Sequence, residues 1–170
     1  MKGHLQAPKY IQTVYSMPRL VIALKAVSLL CVISSVSVFA VSSLLLLLDE
    51  VTRGIAYLVF TGVPFLGVSV LRARLSLARP YEIYDMPSGF SDSRRRGRSF
   101  PSRHVFSAFV IGVMSFLVSP ILGGILLLLG ASLGACRVLL GIHFVRDVVA
   151  GALIGVLFGV LGIIIINYCL

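Results

Sequence analysis

Phe100-Pro101-Ser102-Arg103-His104 closes a strongly basic stretch of the chain and opens an apolar one. Ser102 is a natural N-cap for the helix that follows. The backbone N–H groups of residues 103–105 then lie at the positive end of the helix dipole with no acceptor inside the helix. Such an end is an anion site before any side chain contributes. His104, in the first turn, stands beside that anion and can give it a proton. These five residues alone fit an ordinary cap with an interfacial histidine equally well, so what flanks them decides the reading.

What flanks them is membrane. The 170 residues are 58% hydrophobic and only 12% charged, with a mean hydropathy of +1.05. Soluble domains run at about a quarter charged, so the chain is an integral membrane protein, and its length suits one compact bundle over residues 1–170. The net charge of +9 sits beside apolar spans. Anionic lipid or a phosphorylated substrate is therefore the partner expected, and nucleic acid is not. Cys31, Cys136 and Cys169 lie in apolar segments without C-x-x-C spacing, and no H-E-x-x-H or carboxylate cluster offers a metal site.

The uncharged run 26–48 crosses a hydrocarbon core of about 30 Å at about 1.5 Å per residue, and it is read as an uncleaved span rather than a signal peptide. Before it, residues 1–25 carry Tyr10, Ile11, Val14, Tyr15 and Met17 at spacings that give an apolar face, an interfacial segment that Pro18 interrupts. A second span covers 54–71, with a kink expected at Pro64. Residues 72–103 form the one long hydrophilic loop. A third span starts near Ser102 and is short for a crossing, so either its entrance lies below the membrane surface or its turn falls near Gly123 and Gly124. The fourth reaches Leu140 and the last covers 148–168. Gly130 and Gly134 on the fourth, and Gly151, Gly155 and Gly159 on the last, make small faces for close helix contact. The expected fold is thus an all-α membrane bundle of about five spans.

Of the fifteen Lys and Arg residues, only Arg53 falls on the side opposite the 72–103 loop. That bias predicts a cytoplasmic N-terminus and loop. Arg94, Arg95, Arg96 and Arg98 are read first as a solvated topology signal and second as an attractor of anionic lipid.

Two further groups answer to Ser102 and His104. Arg137 ends the fourth span, and His143 and Asp147 follow at i, i+4 spacing, on one face if the segment is helical. A carboxylate on one ring nitrogen of His143 fixes its tautomer and leaves the other free as a nucleophile. The plainer alternative pairs Asp147 with Arg146; ionisable groups at the edge of a span favour function. Arg72 and Arg79, with Pro80 ending the local structure, offer guanidinium forks for phosphate oxygens, although arginines that merely set topology would look the same.

R-x6-R-P, P-S-x-H and R-x5-H-x3-D, in this order and each at a span boundary, resemble the three-part signature of the type 2 phosphatidic acid phosphatase (PAP2) family. That family also includes bacterial lipid pyrophosphate phosphatases, glucose-6-phosphatases and the related vanadium haloperoxidases. The resemblance covers residues 72–147 and implies a PAP2/haloperoxidase-like core. It implies that His143 attacks phosphorus to give a phosphohistidine, that Asp147 orients it and that His104 protonates the leaving oxygen. Arg72, Arg79, Ser102, Arg137 and the backbone N–H of Arg103 would hold the phosphoryl oxygens, with no metal or other cofactor. Three positions depart from the pattern: Arg72 stands for the usual Lys, Arg103 for Gly and Cys136 for Ser, and one N-terminal span of the usual six is missing.

The function expected is hydrolysis of a lipid phosphomonoester or pyrophosphate such as phosphatidylglycerophosphate, phosphatidate or undecaprenyl pyrophosphate, in a bacterial inner membrane, with a cytoplasmic pocket favouring the glycerophospholipids. The alternative is a lipid-phosphate binder or transporter that uses the same anion pocket without turnover. Oligomeric state is not readable from the sequence.

Overall fold

The computed structural model describes residues 5–87 and 97–169. Helix α1 (Lys9–Tyr15) leads into α2 (Pro18–Asp49), which turns tightly into α3 (Val51–Leu75). A short helix α4 (Pro80–Ile83) follows, then α5 (Arg103–Met114) with a 3-10 turn at Ser115–Leu117, α6 (Pro120–Leu139) and α7 (Val145–Tyr168). Helices α2, α3, α6 and α7 are long and apolar enough to cross a membrane, and α5 is a shorter apolar helix between them. The fold is therefore the all-α multi-pass bundle expected, with one addition. Leu5–Gln6 pairs in parallel with Tyr84–Asp85 as a two-residue ladder that ties the N-terminus to the loop side.

Several boundaries differ from the sequence reading. Pro18 does not separate an interfacial helix from a span starting near 26; it is the first residue of α2, where its missing N–H costs no hydrogen bond. Pro80 likewise opens α4 instead of ending structure. Helix α1 buries Ile11 and Val14, and Tyr15 Oη donates to Leu140 O at 3.3 Å, so the N-terminal segment packs under the α6–α7 turn. The turn after α5 falls at 118–119, ahead of Gly123 and Gly124, which lie inside α6. Arg94, Arg95 and Arg96 lie outside the described residues.

The small faces set the architecture. A Cβ added to Gly151 would lie 2.6 Å from Ser102 O, one on Gly155 2.7 Å from Phe106 O, and one on Gly159 2.6 Å from Val113 Cβ. Successive glycines of α7 thus meet successive turns of α5, so the two helices run parallel at backbone contact. Gly130 of α6 takes Phe109 of α5 and Gly134 takes Val148 of α7 in the same way. Helix α5 is consequently the central element, with Val105, Phe106, Ala108, Val110 and Met114 all buried.

Depth follows from register. His104 shares a cavity lining with Val32 and Val36 of α2. Val32 lies seven residues past Lys25, about 10 Å along the helix. The start of α5 is therefore level with the uncharged run of α2 and not with its charged end, and the turn after α5 falls ahead of the two glycines, which fits a recessed entrance and not a displaced turn.

Candidate active site

The second and third motif groups meet at the heads of α5 and α7. Ser102 N–H donates to Asp147 O at 2.8 Å, which locks the two helix starts together. Phe106 N–H makes the first intrahelical bond of α5, to Ser102 O at 2.9 Å, so the N–H groups of 103–105 have no acceptor within the helix. Ser102 is the N-cap, as expected, but its hydroxyl makes no capping bond; Oγ is fully buried and has no hydrogen-bond partner among the described residues. Arg103 adopts helical backbone with negative φ, so the replacement of Gly leaves its amide at the helix start intact.

His143 does not share a helical face with Asp147. It lies in the α6–α7 turn, two residues before α7 begins, while Asp147 is the third residue of that helix. They meet because the turn folds back: His143 N–H donates to Arg137 O at 3.2 Å, and Gly141 supplies the required positive φ of 68°. A side chain at 141 would be strained there and would strike Met86. His143 Nδ1 then lies 3.5 Å from Asp147 Oδ2, with the two residues 2% and 0% exposed.

The carboxylate is itself held. Asp147 Oδ2 accepts from Phe144 N–H at 3.0 Å and from the buried Ser99 hydroxyl in a short hydrogen bond. Oδ1 faces Arg146 Nε at 3.7 Å, so the plainer Asp147–Arg146 pairing also forms, on the other oxygen. Ser99 escaped the sequence reading; its only signal was its place just ahead of the P-S-x-H motif.

Burial is the main force on the His143 titration and lowers its pKa below the ordinary value. The Asp147 carboxylate pulls the other way, and the guanidiniums of Arg79 and Arg72 add to the lowering. The imidazole is thus neutral at neutral pH, with Nε2 carrying the free lone pair when Nδ1–H points to Asp147.

The arginines divide in two ways. Arg72 directs its guanidinium at the loop: one terminal nitrogen donates to Ser99 O at 3.1 Å and to Pro101 O, and the other to Arg98 O. Arg72 thus keeps the positive charge of the family pattern's Lys while its planar fork binds carbonyls of residues 98–101. Arg79 is 5% exposed; among the described residues its guanidinium donates a long 3.4 Å bond to Arg98 O, and its buried Nε lacks a partner. Glu82 of α4 braces the same loop by accepting from Gly97 N–H at 2.9 Å. Arg137 lies at the last turn of α6, and its carbonyl anchors Ile142 and His143. The Arg103 side chain lies against α3, with its guanidinium 5.3 Å from the Phe65 ring and 3.4 Å from Ser69 Oγ. His104 lines a lateral cavity beside it.

The family profile of the PAP2 superfamily matches residues 53–170. The bacitracin transport permease protein BcrC of Bacillus licheniformis is 44% identical over 59 residues, 35% of this chain and 29% of that relative. The match thus spans under a third of the relative's length. No solved structure matches.

Proposed function

The chain belongs to the PAP2 superfamily, and from that premise we propose that it is a membrane phosphatase that removes phosphate from a phosphorylated lipid through a phosphohistidine. The single observation that supports this most is the buried His143–Asp147–Ser99 chain, which orients a neutral imidazole beside buried guanidiniums. Binding alone needs the cations and not an oriented nucleophile.

In this reading His143 Nε2 attacks phosphorus, a P–N bond forms and the P–O bond to the lipid breaks. His104 donates its proton to the departing oxygen. A water then attacks phosphorus, gives its proton to His104 and releases phosphate, restoring His143. Asp147 stabilises the charge on the imidazole ring, and Ser99 holds Asp147 in place. Arg79, Arg137, Ser102 and the N–H groups at the start of α5 follow the charge that builds on the phosphoryl oxygens. Arg72 acts as a positioning residue that shapes the 98–101 segment, and no step is routed through a metal ion.

The substrates proposed are phosphatidylglycerophosphate, phosphatidate or undecaprenyl pyrophosphate, in a bacterial inner membrane with the site on the cytoplasmic side. A second reading, a lipid-phosphate binder or transporter without turnover, draws on the printed name of the BcrC relative, which describes a transport permease. Phosphate release in EDTA from purified protein, wild type beside His143→Ala, separates the two. Release that survives chelation and disappears in the variant supports the phosphatase. Transport or binding by wild type without any phosphate release favours the second reading.

A further inference from the structure

In the proposed reaction His104 serves the phosphate at the head of α5, and in the structure it lines a lateral cavity. That cavity has a volume of about 190 Å³ and is walled by Val32, Ser35 and Val36 of α2, Phe65 of α3, Leu133 of α6 and the Arg103–Ile111 face of α5. A second, of about 180 Å³, continues it past Phe39, Thr61 and Val110, sharing Phe65, Ser107 and Ile111 as walls. Each exceeds the roughly 150 Å³ apolar cavity that accommodates a benzene. Together they form a groove about 12 Å long from Arg103 to Ile111 along α5.

The groove is more apolar than its residue names suggest. Ser35 Oγ donates to Cys31 O at 2.8 Å, Ser107 Oγ to Arg103 O at 3.0 Å and Thr61 Oγ1 to Tyr57 O at 2.8 Å. Each hydroxyl is turned into its own helix, leaving carbon to face the groove. Polarity is confined to one end, where Arg103 and His104 stand. At the other end α2 and α3 close together, with Phe39 and Tyr57 stacked at 5.9 Å and Leu47 filling the space beside Gly54.

We infer that one hydrocarbon chain of the substrate lies in this groove, leading from the phosphate past His104 and Arg103 toward Val110 and Ile111. The inference rests on the phosphatase reading and adds to it where the leaving group lies. The proton donor must stand on the side from which the leaving oxygen departs, and that oxygen carries the chain. His104 lines the groove at this end, and the Arg103 cation at the mouth suits the anionic end of a lipid and repels nothing on it. Ser107, in the wall of both cavities, becomes a specificity-determining position for chain length.

The test uses alkyl phosphates of rising chain length, from butyl to hexadecyl, with wild type, Ser107→Phe and Gly62→Leu in detergent. A Cβ on Gly62 meets nothing within 4 Å, so that variant fills the groove from α3 without a backbone clash. In wild type kcat/KM rises with chain length and then levels off. In either variant the dodecyl-to-butyl ratio falls by roughly tenfold or more, the usual scale for a blocked apolar subsite. An unchanged ratio in both folded variants overturns the groove while leaving the phosphatase reading intact. If wild type hydrolyses no alkyl phosphate, the EDTA and His143→Ala assay on the lipids decides the phosphatase reading, and a dodecyl phosphate carrying a mid-chain diazirine reads the groove without turnover. Crosslinks at 32–36 or 107–111 support it; crosslinks confined elsewhere overturn it.

Discussion

Asp147 Oδ2 accepts from the Ser99 hydroxyl and the Phe144 N–H and faces His143 Nδ1 at 3.5 Å, and the proposed chemistry turns on that convergence. Asp147→Asn removes the charge that offsets burial at His143. The account predicts a fall in kcat of about 10²–10⁴-fold, with the acid limb of the pH profile moving to lower pH because the carboxylate raises the His143 pKa. In wild type that limb lies below the free-histidine value of about 6.5, since burial lowers the pKa. The unfolded chain then binds the extra proton first, so stability falls as pH drops through about 6.5 and levels off below the folded value. Ser99→Ala, read by kcat with KM little changed, should cost less than Asp147→Asn because Phe144 N–H still holds the carboxylate. The motif histidines, arginines and Asp147 could be proposed as a site from sequence because their spacing is specific. Ser99 could not, since only tertiary folding brings residue 99 to residue 147. The bonds of Arg72 to the carbonyls of Arg98, Ser99 and Pro101 were hidden for the same reason: those carbonyls belong to a loop with no periodic pattern.

Among the elements, the α5–α7 contact positions everything else. Gly151 meets a backbone carbonyl, which cannot move aside as a side chain can. Gly151→Leu should therefore push the head of α5 off α7, with a stability loss on the order of 1–3 kcal/mol and activity reduced at least as far as Asp147→Asn. Gly67→Ala, whose added Cβ meets open space, should leave both thermal stability in detergent and phosphate release nearly unchanged. The four-residue glycine repeats marked the last helix as one that packs closely, but did not name α5 as its partner. The helix starts were less legible: Pro18 and Pro80 read as breakers because a proline signals either an end or a first turn, and only the packing on each side decides which. The His143–Asp147 pair met despite a wrong local conformation, because a turn with Gly141 in positive φ brings the two side chains together as a helix would have.

At the scale of the whole molecule, the hydropathy pattern accounts for the number and order of the long helices, and the shortness of the third apolar stretch left a recessed entrance and a displaced turn as alternatives. What it did not contain was the burial of α1 beneath Leu140 or the pairing of Leu5–Gln6 with Tyr84–Asp85, contacts between segments far apart in sequence. The charge bias predicts that Ser76 and Glu50 lie on opposite membrane faces. In a Cys169→Ser background, Ser76→Cys should be labelled by an impermeant maleimide only from the cytoplasmic face and Glu50→Cys only from the other; the reverse pattern would put the site outside the cell. The central claim, however, is the covalent one. The most direct measurement is rapid quenching of purified protein with a ³²P-labelled lipid phosphate, followed by peptide mapping of the label. The account predicts an acid-labile, alkali-stable phosphate on His143 that is absent from His143→Ala. Turnover with no protein-bound phosphate at any quench time, or label that persists in His143→Ala, would contradict it.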